Sequence, residues 1–232
     1  EVDLNRLART STPASVSLPK EPFSGLTFGG YYLWYSASSD RLNPDDSVTV
    51  IRPIQLGDRV LQTAWTEGGT SKGKGQFVTA RINPALRVKG FRIFPGHGTK
   101  DDFDVFRKPK KLLISTEDER FVVELPDTPR RTMINRGGLL VRFPRAVRTD
   151  CMSVVILESR PGTKQAVGEH TWKSNATAIS EITPISELYG LTRADAALVV
   201  VEKLLKLSDP REARRLALLA SALGDDLVAG VL

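Results

Sequence analysis

The stretch QFVTARINPALRVKGFRIFPGHG, residues 76–98, decides the fold class. It holds two runs dense in β-branched and aromatic residues, QFVTARI (76–82) and LRVKGFRIF (86–94), and then closes on Pro95 and a Gly-rich turn. Such side chains suit a pleated surface, so both runs predict strands. The same pattern recurs outward in both directions: YYLWYSAS (31–38) and SVTVIRP (47–53) before it, then KLLIS (111–115), RFVVEL (120–125), GLLVRF (138–143) and SVVILES (153–159) after it. Clusters of Gly, Pro and Asp separate the runs. Pro53, Pro95, Pro109, Pro126, Pro144 and Pro161 fall at or beyond run ends, where a sheet tolerates them. With no helix-length period between them, these strands predict an antiparallel sandwich or barrel over residues 25–189 rather than an α/β fold.

The flanks read differently. Residues 1–24 are rich in Ser, Thr and Pro without helical or strand period, which predicts a leader or linker that packs only in part. After Tyr189-Gly190, Thr192 with Asp195 fits a capping box ahead of a helix over 194–207. Asp209-Pro210 with Glu212 fits a second start; that helix stops at Gly224, and Asp225 offers a cap for a last short one. Residues 190–232 therefore predict a small α-helical hairpin. Two helices cannot bury both faces alone, so they need the sandwich, another chain or a further part of the polypeptide to dock on.

Of the 232 residues, 41 % are apolar and 26 % charged, enough for a packed core. No apolar stretch reaches the roughly 20 residues of a membrane helix, and the first residues lack the apolar core of a signal peptide. Cys151 is the only cysteine, which excludes an internal disulfide and a cysteine-cluster metal site. With only His97 and His170 besides, zinc chemistry of the usual kind is nearly excluded. The net charge of +6 is concentrated between Lys72 and Lys111, a strip that can attract polyanions or simply keep a face solvated.

Several separate stretches, in order, carry a family resemblance: SASS (36–39), LGDRVLQTAW (56–65), TEGGTSKGKGQ (66–76), GFRIFPGHG (90–98), FRKPKKLLI (106–114), SRPGTK (159–164) and AISEI (178–182). Together they resemble the discoidin-like, galactose-binding-like jelly-roll β-sandwich, and within it the NADase-type glycan-binding (translocation) domain. The resemblance spans about Tyr31 to Ile182 and leaves the leader and the helices outside. It implies a mainly β sandwich, a non-catalytic glycan-binding role and an extracytoplasmic place. It also implies a structural Ca²⁺ that maps onto Asp58, Thr63 and Glu181. The residues themselves weigh against that ion: Arg59 replaces the family's glycine, and Val60-Leu61-Gln62 is apolar where calcium needs oxygens. On its own terms Asp58 pairs with Arg59 or caps its turn, and Glu181 makes a buried hydrogen bond. No other cofactor is expected.

Sugars are held by stacking on rings and by paired polar groups on their hydroxyls. Candidates for that work are Glu67 in the Gly-rich loop, His97 in PGHG, Arg107, and His170 with Trp172 in the polar loop 161–176. Trp172 serves either as a binding anchor or as a dock for the helices. Trp65 predicts a core anchor, and Thr163-Lys164 after Pro161-Gly162 a turn. Alternation along the strand means that Arg107, Lys108, Lys110 and Lys111 cannot all face one ligand.

No phosphate-binding Gly-rich loop, Gly-x-Ser-x-Gly, His-Glu-x-x-His or supported cysteine nucleophile is present, and no carboxylate pair stands out as acid and base. The expectation is a non-enzyme with a glycan or a protein as partner. A carbohydrate-binding module predicts binding of neutral sugars that persists in high salt. A protein-interaction or scaffold domain predicts a complex that depends on residues 190–232. Nucleic acid is the weakest partner, because the basic strip lacks the interleaved aromatics that single strands stack on.

Overall fold

The two runs of residues 76–94 form one continuous strand. The computed structural model describes residues 3–19, 33–39, 41–42, 50–51, 53–58, 60–189 and 191–223. Its strands are β1 (Thr12–Pro13), β2 (Ser15–Ser17), β3 (Leu33–Ala37), β4 (Arg41–Leu42), β5 (Val50–Ile51), β6 (Trp65–Thr66), β7 (Phe77–Pro95), β8 (Lys108–Ser115), β9 (Arg120–Glu124), β10 (Leu139–Arg160) and β11 (Ala178–Ser186). The helices are α1 (Leu4–Thr10), α2 (Lys100–Phe103), α3 (Arg130–Arg136), α4 (Arg193–Leu204) and α5 (Pro210–Leu223).

The main sheet runs β1-β9-β8-β10-β7-β11-β6, with β2 also on β10 and β3 also on β7; β4 and β5 pair with each other. The long strands β7 and β10 organise it. β10 lies along one side of β7, while the other side of β7 changes partner from β3 (Ala37↔Val78, Leu33↔Ile82) to β11 (Ile185↔Gly90, Glu181↔Phe94). Likewise β10 changes from β2 to β8. Partner exchange along twisted strands lets one continuous ladder fold over into a sandwich-like, mainly β body.

Sequence punctuation marks the bends. Pro144 does not end a run as expected but sits inside β10, where the register slips between Arg142 and Val147. A residue without N–H is accommodated because the ladder is already broken there. Gly90 (φ +149) faces the partner strand so closely that an added Cβ would lie 2.0 Å from the Val141 carbonyl oxygen. The fully buried side chains include Trp65, Phe91, Phe94, Phe106 and Phe121. Trp65 is a core anchor, and its Nε1 donates to the Ser39 carbonyl at 2.8 Å.

Both flanks join this body. Asp3 caps α1 by accepting from Arg6 N–H at 3.0 Å, β1 adds in parallel to β9, and β2 adds to β10. Residues 3–17 are thus more structured than their composition suggests. Short edge strands borrow their order from a neighbouring ladder and need no period of their own. At the other end Thr192 caps α4 by accepting from Asp195 N–H at 3.1 Å, and Asp209 caps α5 by accepting from Arg211 N–H at 2.9 Å. Ala196, Val200, Leu216 and Leu219 belong to the same core cluster as the sheet, so the helices dock on the sandwich. The expected stop at Gly224 and the cap at Asp225 lie outside the described residues. Among the described residues no helix is long and apolar enough to cross a membrane.

Candidate functional site

Three loops meet beyond the C-terminal end of β7. Gly98 lets the first turn tightly: a Cβ there would lie 1.9 Å from the Leu61 carbonyl oxygen, so only glycine permits loop 96–99 to press on loop 58–64. The Ser180 hydroxyl sits between these loops, accepting from Gly98 N–H at 2.8 Å and lying 3.0 Å from the Gly96 carbonyl and 3.2 Å from that of Leu61. Thr99 then caps the single turn α2 through Asp102 N–H. The His97 ring is thereby laid flat on Phe106, with centroids 5.4 Å apart and planes at 14°.

The third loop, 161–177, closes the site from the side. Its 3₁₀ segment Gly168–Asn175 presents Trp172 edge-on to the same Phe106, with centroids 5.7 Å apart. Trp172 joins a small apolar cluster with Ala64, Phe106, Ala176 and Ala178, which settles its docking partner as the loop end of the sheet. Next to it, Lys173 reaches back to Asp102 at 2.9 Å. The result is a pocket of about 250 Å³ whose aromatic wall is His97, Phe106 and Trp172 and whose polar rim includes Gln62, Thr63, Asp102 and Lys173.

Charge in the pocket is arranged around Asp102. Burial raises the carboxyl's pKa, but the hydrogen bond from Lys173, with His97 and Thr99 beside it, outweighs burial and holds it below its usual value. For His97 burial dominates, pushing the imidazole below its ordinary value although Asp102 pulls the other way. Nδ1 lies 3.0 Å from Thr99 Oγ1 and 3.8 Å from Asp102 Oδ2. At neutral pH the pocket therefore presents a neutral imidazole, a carboxylate and an ammonium. Those groups can donate to and accept from vicinal hydroxyls beside an aromatic surface.

Glu67 and Arg107 lie in an inner network beside the pocket. Glu67 is fully buried; its carboxylate accepts from Gly69 N–H at 2.7 Å and from Thr177 N–H at 3.3 Å. Arg107 Nε donates to Ser159 Oγ at 2.9 Å, and its Nη2 to the Ser159 carbonyl at 3.1 Å. The hydroxyls of Ser159 and Thr177 both donate to the Lys72 carbonyl. These two residues thus tie three loops together and do not line the pocket. His170 is exposed on the 3₁₀ segment and does not line it either. Of the five expected ligand-binding residues, the fold brings His97 and Trp172 together in the pocket. Asp102 and Lys173 were missed; Thr99-x-x-Asp102 is itself a capping-box spacing that would have placed α2.

The basic run splits, but not by simple alternation, which would put Lys108 and Lys110 on one face; the register slips here between Ile156 and Ser159 of β10. Lys108 is buried with its Nζ 3.9 Å from the Phe103 ring centroid, whereas Lys110 pairs with Glu158 at 3.1 Å on the surface. Lys164, in the expected turn, pairs with Asp104 at 3.4 Å.

The residues mapped to calcium do not fit it. Asp58 closes its own turn, with Oδ1 accepting from Val60 N–H and Oδ2 from the Thr63 hydroxyl, each at 2.7 Å. The Val60 carbonyl accepts from Thr63, and that of Leu61 faces Ser180. Glu181 accepts from the Thr183 hydroxyl at 2.6 Å. Calcium needs six to eight oxygens turned toward one point, and among the described residues no three His, Cys, Asp or Glu side chains converge on one.

No protein-family model matches the sequence, and no curated protein matches it. Solved structures do share its fold. The CBM32-1 and CBM32-2 domains of Clostridium perfringens ZmpB superpose with a TM-score of 0.51 at 10 % identity, covering 78 % of this chain and 41 % of that one. The same pair in complex with GalNAc gives 0.51 at 8 % identity, covering 78 % and 40 %. A ZmpB structure that adds the M60 catalytic domain gives 0.50 at 10 %, covering 95 % and 23 %. The chain thus spans about two fifths of the length of the first two structures. At such identities the likeness is one of fold alone: a sandwich-like, mainly β body resembling that of the CBM32 domains, followed by α4 and α5.

Proposed function

We propose that this chain is a non-catalytic carbohydrate-binding module that takes a terminal sugar in the pocket between His97 and Trp172. The observation that carries the reading is the convergence of an aromatic wall with a paired carboxylate and ammonium at the loop end of the sandwich. A pyranose face packs on the rings, while Asp102 accepts from and Lys173 donates to adjacent hydroxyls. Glu67 and Arg107 support the loops from behind. The ordered motifs between Tyr31 and Ile182 favour the NADase-type glycan-binding (translocation) subgroup, and with it an extracytoplasmic setting. GalNAc is the first sugar to try, because the ZmpB pair has been seen with it.

A glycan array followed by calorimetry tests this. Neutral sugars bind selectively and in high salt, and Trp172→Ala and Lys173→Ala each reduce affinity at least tenfold while the protein stays folded. A blank array across neutral and acidic glycans would overturn the reading. It would promote a protein-interaction role, which the exposed Leu198 and Leu218 on the docked helices, with Leu205 between them, favour.

A further inference from the structure

A second concave site lies in the seam where the C-terminal helices meet the sheet. It has a volume of about 220 Å³ and its lining includes four cationic residues: Arg87 of β7, Arg148 of β10, Lys203 of α4, and Lys206 in the turn that follows α4. Leu207 and Leu216 give it an apolar side. Arg87 and Arg148 are direct cross-strand partners and both exposed. Like charges in that relation repel, since opposed Cβ atoms stand only about 5 Å apart. The fold relieves part of this. Glu212 of α5 pairs with Arg148, and Glu187 pairs with Lys203. Among the described residues neither the Arg87 guanidinium nor the Lys206 ammonium has a carboxylate partner, so two residues with unpaired positive charge line a hollow whose wall is mostly apolar.

We propose that this seam binds the phosphate or sulfate group of a small ligand. A tetrahedral dianion matches the surplus of two charges. A guanidinium supplies a planar fork for two of its oxygens, and an ammonium supplies a mobile point charge for a third. The apolar side accommodates the carbon skeleton that carries the group. Arg87 stands eight residues before Pro95 along β7, roughly 26 Å at the rise of a strand. The seam is therefore a separate site from the His97–Trp172 pocket, and a ligand here bridges sheet and helices.

The test is thermal melting and calorimetry of the whole chain with inorganic phosphate, inorganic sulfate, glucose 6-phosphate and glucose 6-sulfate, each against sodium chloride at matched ionic strength. Phosphate or sulfate raises the melting temperature by several degrees with saturation, and chloride does not. Arg87→Gln and Lys206→Gln, both surface changes, each weaken binding at least fivefold without altering glycan binding at the other pocket. A larger effect of glucose 6-phosphate or of glucose 6-sulfate identifies which of the two chemistries the seam prefers. Equal shifts with chloride, or unchanged binding in both variants, would overturn the proposal.

Discussion

Glu67→Ala tests whether the buried carboxylate is a clasp or a ligand group. Its side chain is fully buried, and removing it strands the N–H groups of Gly69 and Thr177, held at 2.7 and 3.3 Å. A buried donor left without an acceptor costs about 1–3 kcal/mol. Arg107, half-buried, loses in addition the negative charge that offsets its desolvation; water reaches it, so this adds less than the 3–5 kcal/mol or so of a fully buried broken pair. The expected loss is about 3–5 kcal/mol. Glu67→Gln keeps one acceptor for Gly69 but turns an amide toward another donor, and costs about 1–3 kcal/mol. With a urea slope of about 2.5 kcal/mol/M, the alanine variant shifts the unfolding midpoint by about 1–2 M at unchanged slope. Glycan affinity of Glu67→Gln, measured where it is fully folded, stays at the wild-type level. A loss below about 1 kcal/mol together with abolished glycan binding would refute the clasp and return Glu67 to the ligand site.

Other consequences follow from the same geometry. The lowered pKa values of His97 and Asp102 each favour the unfolded state as proton acceptor at low pH. Stability from His97 is fully present above its ordinary 6.5 and is lost as pH falls toward its folded value. That from Asp102 is present above 3.8 and is lost at more acid pH. Denaturation midpoints across pH 3–8 should fall in these two steps; His97→Phe removes the upper one, and a flat profile would contradict it. Gly90→Ala, aimed at a carbonyl 2.0 Å away, should prevent stable folding. Gly168→Ala, at φ +64 with nothing within 4 Å, should cost only about 1–2 kcal/mol. Calcium in place of chelator should leave the melting temperature unchanged; a rise of several degrees would show that the turn at Asp58 rearranges around the ion.

Strand positions, helix caps and the core role of Trp65 were legible in the sequence because each depends on neighbours within a few residues. The caps at Thr192 and Asp209 stand where the spacing puts them. Three features of the fold were hidden for the same reason, the first being that the runs at 138–143 and 153–159 are one strand, β10. The runs at 76–82 and 86–94 read as separate strands, although pairing with β10 makes them one. The leader shows no period, although β9 and β10 pair with its residues 12–13 and 15–17.

The candidate site divides along the same line. His97 and Trp172 could be named from residue type and loop context. That they share one ring, Phe106, and that Lys173 reaches an Asp102 lying 71 positions earlier, depends on loop closure across the sheet. Glu67 and Arg107 looked like ligand groups because charged residues usually stay in water; the fold buries one and half-buries the other by giving them backbone partners. The surplus of positive charge at Arg87 and Lys206 likewise arises only when β10 and the helices converge. Sequence alone determined the main strand runs and the two C-terminal helices, since local sterics and periodicity act within a few residues; it did not give the leader's elements, α2 or α3. Only the tertiary structure decided which polar groups are consumed in holding loops together and which remain facing a pocket, because hydrogen bonds between distant residues leave no local pattern.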